Sequence, residues 1–344
     1  MNPLNPRRAR SVLPQRLLTR CCTLALALGL LAWQVAPALA QTPPAPATSP
    51  AASSCPPAAK MPTTEQMQAG MKGARDRGFL WRVTKNGRSS YLYGTVHVAK
   101  PDWMYPGATV MRAASSSDTV ALELDMLDPD IALRLAAGMT GSAPALPPPL
   151  AARLRAQAER DCVPMEMLAP MPPEMQVTTL AVMAGRADGF DPSYAIDVFL
   201  AGLAHGLKKN VVSLETPEAQ LKVLLSEDPN ETTAMVQKEL DELESGRTRA
   251  MLRRIAETWS EGRLDDLQHY EQWCGCVDTA EDRRALHRLL DERNPGLAAR
   301  VAELHESGHS VFAAVGSLHM IGATGLPALL AKRGYQVERV EFPH

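Results

Sequence analysis

Two periodicities alternate along this chain, and their alternation restricts the folds open to it. Short apolar or alternating runs fall at 79–84, 91–94, 119–124, 211–214, 311–315 and 337–341. Runs of this length read as strands, whose side chains alternate between two faces. Between the later runs lie longer stretches with apolar spacing of three and four, at 194–208, 217–227, 231–260 (one or two helices), 280–290, 295–307 and 325–332. Thr216 can cap the second of these, Pro217 suits a first helical position, and Gly334 stops the last. Asn86-Gly87 joins the first two strand runs as a hairpin signal. Strands separated by helices imply an α/β (or α+β) fold, with a central, mostly parallel mixed sheet flanked by helices. Function then belongs beyond the carboxyl ends of the strands.

Residues 126–190 break the rhythm with Pro147-Pro148-Pro149, Pro170, Pro172 and Pro173, and with Met165, Met167, Met171, Met175 and Met183. This stretch reads as a helical insertion. Its methionines suit either ordinary core packing or an adaptable binding groove. The domain as a whole is placed at 71–344.

The amino terminus has a different character. Arg7, Arg8, Arg10, Arg16 and Arg20 come with no acid in the first twenty residues, and a short apolar run and an Ala38-Leu39-Ala40 site follow. That pattern reads as a signal peptide over 1–40, cut after Ala40, so the chain is expected to be periplasmic or secreted with no stable membrane insertion afterwards. A Pro/Ala-rich leader over 41–70 is expected to lack structure. Losing the five arginines takes the formal net charge from −2 to −7, which argues against a nucleic-acid partner and leaves a small molecule or peptide as substrate. Of 6 cysteines, Cys21 and Cys22 leave with the signal. Cys55, Cys162, Cys274 and Cys276 remain in a disulfide-permissive compartment, with a bridge from Cys162 to one of Cys274 and Cys276 as the simplest pairing.

Two strand runs end in the same pattern, Gly94-Thr95-Val96-His97 and Gly316-Ser317-Leu318-His319. Glycine lets the chain turn off the strand, and a histidine three residues on can aim back over its end. A third match, Gly202 to His205, lies inside a helical stretch and is read as accidental. Two more runs end in carboxylates, at Glu123 and Glu215. A carboxylate in an apolar strand is costly unless paired or bound to a cation. Taken singly, each of these four residues is explained by a satisfied buried histidine or an ion pair, for instance of a glutamate with Arg293. Together at four strand ends, they suit a divalent transition metal with open positions.

The segments YLYGTVHV (91–98), TVALELD (119–125), VVSLETPEAQL (211–221), DERN (291–294) and FAAVGSLHMIGATGLPALLAKRGYQV (312–337) resemble, in order, those of the TraB/PrgY/GumN family, which is related to the Tiki proteins. The resemblance implies a metal-dependent hydrolase with two GxxH motifs. Tiki members are membrane-tethered metalloproteases favouring Mn²⁺ or Co²⁺, and distant relatives include erythromycin esterases and haem-binding proteins. Here no membrane stem follows the signal segment, so a tethered protease is not expected. By motif, His97, Glu123 and His319 match metal or catalytic positions, with Gly94 and Gly316 as the motif glycines. Glu215, Arg293 and Asn294 match further motif positions, and Asp197 matches an acidic position more loosely.

The expected cofactor is one divalent ion (Mn, Co, Fe or Zn) on His97, Glu123 and His319. Glu215 would be ligand or general base, and Arg293 would stabilise an oxyanion or pair with Glu215. The alternative is a non-catalytic binding protein for a peptide, haem or glycan fragment.

Overall fold

The computed structural model describes residues 55–139 and 145–343. The expected signal peptide and residues 41–54 of the leader lie outside those residues. Six strands form one sheet: β1 (Phe79–Lys85), β2 (Arg88–Thr95), β3 (Thr119–Leu122), β4 (Asn210–Ser213), β5 (Val311–Gly316) and β6 (Gln336–Val340), in the order β4-β3-β5-β2-β1-β6. The hairpin β1–β2 and the pair β1–β6 are antiparallel, whereas β2–β5, β5–β3 and β3–β4 are parallel. Asn86 and Gly87 both take positive φ (54° and 75°), the two-residue turn that the Asn-Gly pair favours.

The sheet is mostly parallel, and helices cover it. Phe79, Leu92, Tyr93 and Phe312 are buried within one core with Leu297 and Val301 of the helix Asn294–Glu306 and Leu200 of the helix Ile196–Gly206. β5 is buried along five of its six residues, as a strand covered on both faces must be. No helix of the described residues is long and apolar enough to cross a membrane.

The insertion is helical, as expected, and it builds its own small core. Leu150, Leu154, Leu168, Val177 and Leu180 pack with Val236 and Leu240 of the helix Pro229–Glu244, and Met165, Met167 and Met183 lie against them. Those three methionines pack against that core and stay partly exposed.

Three expectations are corrected. Residues 64–70 are not without structure: Thr64–Lys72 is a helix with a Thr63–Gln66 capping box. Cys162 bonds to Cys55, and Cys274 bonds to Cys276. The first bridge forms because the segment after Cys55 is held on the insertion side of the domain, with Arg186 donating to the Pro56 carbonyl and Tyr194 bonded to Lys60. The second forms because Gly275, at φ 63°, folds the chain until the two Cα atoms stand 5.1 Å apart. The third concerns 119–124, where the strand stops at Leu122, so Glu123 stands just past its end and not within it.

Candidate functional site

Four adjacent parallel strands, β4-β3-β5-β2, run the same way, so their carboxyl ends share one edge of the sheet. Thr95 and Gly316 are register partners, and Leu122 pairs with both Ala314 and Ser213. The ladder continues one step further, with the Glu215 N–H donating to the Glu123 carbonyl at 3.1 Å. This register brings together His97, Glu123, Glu215 and His319.

Arg293, at the start of the helix Asn294–Glu306, reaches into the middle of the group. Its Nη2 donates to Glu123 Oε2 at 2.7 Å and to Glu215 Oε2 at 2.6 Å, and its Nε to Glu215 Oε1 at 2.9 Å. Nη1 meets the Leu289 carbonyl at 3.1 Å and His319 Nε2 at 3.3 Å. The remaining oxygen of Glu123, Oε1, accepts the Gly316 N–H at 2.8 Å. All three side chains are largely buried.

Each histidine is held through Nδ1. His97 Nδ1 donates to Asp197 Oδ2 at 2.7 Å, and His319 Nδ1 donates to Asn294 Oδ1 at 2.6 Å. In both rings Nε2 is therefore the nitrogen turned toward the group. A histidine whose other nitrogen is bound to a carboxylate or amide oxygen has the arrangement that orients metal-ligating imidazoles. The two rings differ in exposure. His319 is 4 % exposed, while the His97 side chain is 63 % exposed and forms the mouth.

The glycines turn out to matter for space. Neither Gly94 nor Gly316 takes a positive φ, so turning off the strand does not require them. A Cβ on Gly94 would lie 3.0 Å from Ser317 Oγ, where the second motif crosses over the first. A Cβ on Gly316 would lie 3.2 Å from Glu123 Oε1, 3.6 Å from His97 Nε2 and 3.7 Å from His319 Cδ2. The missing side chain of Gly316 thus marks a point approached by two donor atoms, Glu123 Oε1 and His97 Nε2, and by the His319 ring.

The electrostatics follow from burial and partners. Burial favours a neutral Glu123, but His319, His97, Arg293 and the Gly316 N–H hold it down to about 2. Burial pushes His319 down to about 4, so it is neutral at pH 7. At His97 the packed surroundings also work against the charged ring despite its open face, but Asp197 outweighs them and raises the imidazole to about 9. Burial lowers Arg293, and the two glutamates reverse that, leaving it raised.

Asp197, Asn294 and Arg293 thus sit against the four strand-end residues. His205 does not join them, since its Nε2 pairs with Asp125 at 2.7 Å. Both Glu215 oxygens are engaged by Arg293, and one also meets Gln220 at 3.3 Å. This geometry gives Glu215 the work of anchoring the guanidinium. Gln220 was missed from sequence, and its one signal is its place five residues after Glu215 in VVSLETPEAQL. Trp259 was missed as well; its Nε1 donates to the Gly94 carbonyl at 2.7 Å and pins the first motif, with no local signal to give it away.

Among the described residues no three His, Cys, Asp or Glu side chains are closed up as a ready-made metal set. Arg293 holds the carboxylates here. The donor chemistry nonetheless fits a divalent ion. Two imidazole nitrogens and a carboxylate suit Zn, Mn, Fe or Co, and Glu123, Glu215 and Asp197 outnumber the single guanidinium when the histidines are neutral.

A mixed α/β sheet with a titratable cluster at the carboxyl edge of its parallel strands defines the class. Within that class, the chain belongs to the TraB/PrgY/gumN family, whose family model matches residues 79–339. No curated protein and no solved structure matches it.

Proposed function

We propose that this chain is a metal-dependent hydrolase, exported to the periplasm or beyond, that cleaves an amide or ester bond in a peptide or small substrate. The observation carrying this reading is the convergence of His97 Nε2, Glu123 Oε1 and the His319 ring around Gly316, with each imidazole oriented through its far nitrogen. His97, Glu123 and His319 would hold the ion. When bound, such an ion supplies a water acidified to a pKa near ~7 and polarises a carbonyl.

The chain's own residues do the rest. Asp197 holds the His97 ring at the mouth, and Asn294 holds His319 at the floor. Glu215 fixes Arg293, whose Nη1 is the corner of the guanidinium bound to neither carboxylate. The two N–H groups of Nη1 rest on the Leu289 carbonyl and on His319 Nε2, and the second is the one a developing oxyanion would claim once His319 Nε2 holds the ion instead. Substrate enters on the exposed His97 side.

The test is metal content by mass spectrometry, on protein purified without chelator, beside a His97→Ala/His319→Ala double variant. Near-stoichiometric Mn, Co, Fe or Zn in the parent alone supports the reading, and hydrolysis of a peptide and ester panel then follows the ion. No ion in either protein, even after incubation with each metal, sinks it and leaves a binding protein for a peptide, haem or glycan fragment.

A further inference from the structure

The Cys274-Gly275-Cys276 disulfide has no structural work to do. Cys55 and Cys162 are 107 residues apart, so their bond closes a long loop and restricts the unfolded chain. Cys274 and Cys276 are separated by 2, so their bond joins no two elements and restricts only its own turn. The turn is nevertheless firmly mounted. Cys274 N–H donates to the Tyr270 carbonyl at 3.0 Å, and Tyr270 stacks edge-on against Trp273 at 5.1 Å. Trp273 Nε1 donates to the Asp266 carbonyl at 3.0 Å, and the Arg254 guanidinium lies 4.1 Å over the Trp273 ring. Gly275 at the tip is exposed and both cysteines are half-buried. A cleft of about 550 Å³ opens beside the tip, lined by Gly275, Lys238, Glu242, Arg247 and Asp282 among others.

The two sulfurs are not equivalent. The Cys276 backbone N–H points at Cys274 Sγ at 3.0 Å. A hydrogen bond to the charged form favours that form, so Cys274 is the better thiolate and the better leaving group. A rigidly mounted, accessible disulfide with no stapling role and one preferred leaving sulfur is built for exchange.

We propose that Cys274 and Cys276 form a thiol–disulfide exchange site that oxidises a dithiol substrate. A substrate thiolate attacks Cys276 Sγ, and the Cys274–Cys276 bond breaks. Cys274 leaves with the electron pair, held by the Cys276 N–H, and then takes up a proton. The substrate's second thiolate attacks its own sulfur in the mixed disulfide and releases Cys276, which is protonated in turn. The substrate loses two electrons and two protons and becomes a disulfide, and the chain becomes a dithiol. Oxidised glutathione restores it by the same exchange in reverse.

The experiment equilibrates the whole chain in graded reduced and oxidised glutathione, quenches with acid, alkylates and reads each cysteine by mass spectrometry. Cys274–Cys276 should be half reduced in a buffer at least tenfold more oxidising than Cys55–Cys162 requires, a gap of about 30 mV for a two-electron couple. In the reduced chain Cys274 should alkylate several-fold faster than Cys276. A synthetic two-cysteine peptide in oxidised glutathione should be oxidised faster when the chain is present. That acceleration should vanish in Cys274→Ser/Cys276→Ser and persist in Cys55→Ser/Cys162→Ser. The proposal fails if the pair resists reduction longer than Cys55–Cys162, does not close in oxidised glutathione, or accelerates the peptide no more than its double-serine variant. Because the small ring joins no two elements, that variant keeps the fold, which circular dichroism checks.

Discussion

Oδ1 of Asn294 accepts the Nδ1 proton of His319 across 2.6 Å, with both side chains buried. The bond fixes which nitrogen of His319 faces the site. Asn294→Ala leaves a buried N–H without a partner, at a cost of about 1–3 kcal/mol in denaturant unfolding. In metal titrations the same variant should bind about 10–100-fold more weakly, as expected when the group orienting a ligating histidine is lost. Unchanged affinity would remove His319 from the ligand set.

Arg293 is the common partner of Glu123 and Glu215, with side-chain exposures of 12 %, 14 % and 10 %. Replacing it with methionine strands two buried carboxylates, and the expected loss is about 3–5 kcal/mol of stability. Lysine should recover little, because one ammonium cannot reproduce a fork that donates from Nε and Nη2 at once. Adding Glu215→Gln to Arg293→Met should restore part of the loss by removing one uncompensated charge. Urea titrations of these variants and of Glu215→Gln alone decide the matter, and additive losses would argue against the coupled cluster.

The two site histidines should titrate on opposite sides of the ordinary value of 6.5. His97, raised to about 9 with Asp197 as partner, prefers to be charged in the folded protein. Its contribution to stability is fully present below 6.5 and is lost as the pH rises through about 9. His319, lowered to about 4 by burial, prefers to be neutral. Its contribution is present above 6.5 and is lost as the pH falls through about 4. Nuclear magnetic resonance of the ring protons in metal-free protein checks both directions. Asp197→Asn should bring His97 back toward 6.5 and leave His319 low.

Much of this site was legible because a carboxylate or imidazole at the end of an apolar run is expensive, and four such runs carried one. The sheet order that makes the four ends adjacent is a tertiary fact, and no local spacing declares it. The sequence left Glu215 open as ligand, base or partner of Arg293 for the same reason: only the approach of the helix Asn294–Glu306 shows that Arg293 engages both its oxygens. The helix Ala108–Ser116 had no signal at all. Its leading residue, Gly107, makes no side-chain cap, and its first N–H groups are capped by Asp76 at 2.9–3.0 Å from more than thirty residues upstream. The disulfides were misread because pairing depends on which segments dock together, which the four cysteine positions do not encode.

Gly316 offers the sharpest separation of site from scaffold. It has an ordinary φ of −49°, so alanine meets no backbone penalty there. The added methyl would nevertheless stand 3.2 Å from Glu123 Oε1 and 3.6 Å from His97 Nε2, in the space toward which the donors point. Gly316→Ala should therefore fold with a stability change within about 1 kcal/mol, small beside the cost of a buried-core defect. It should also lose metal binding and any hydrolysis that depends on it. Gly94→Ala is the contrasting control. Its methyl would press on Ser317 Oγ at 3.0 Å and Ser317 Cα at 3.3 Å, inside the packed crossing of the two motifs. That variant should lose about 1–3 kcal/mol, as overpacked sites do. Thermal unfolding and metal titration of the pair separate the two effects, and full metal binding by Gly316→Ala would place the ion elsewhere.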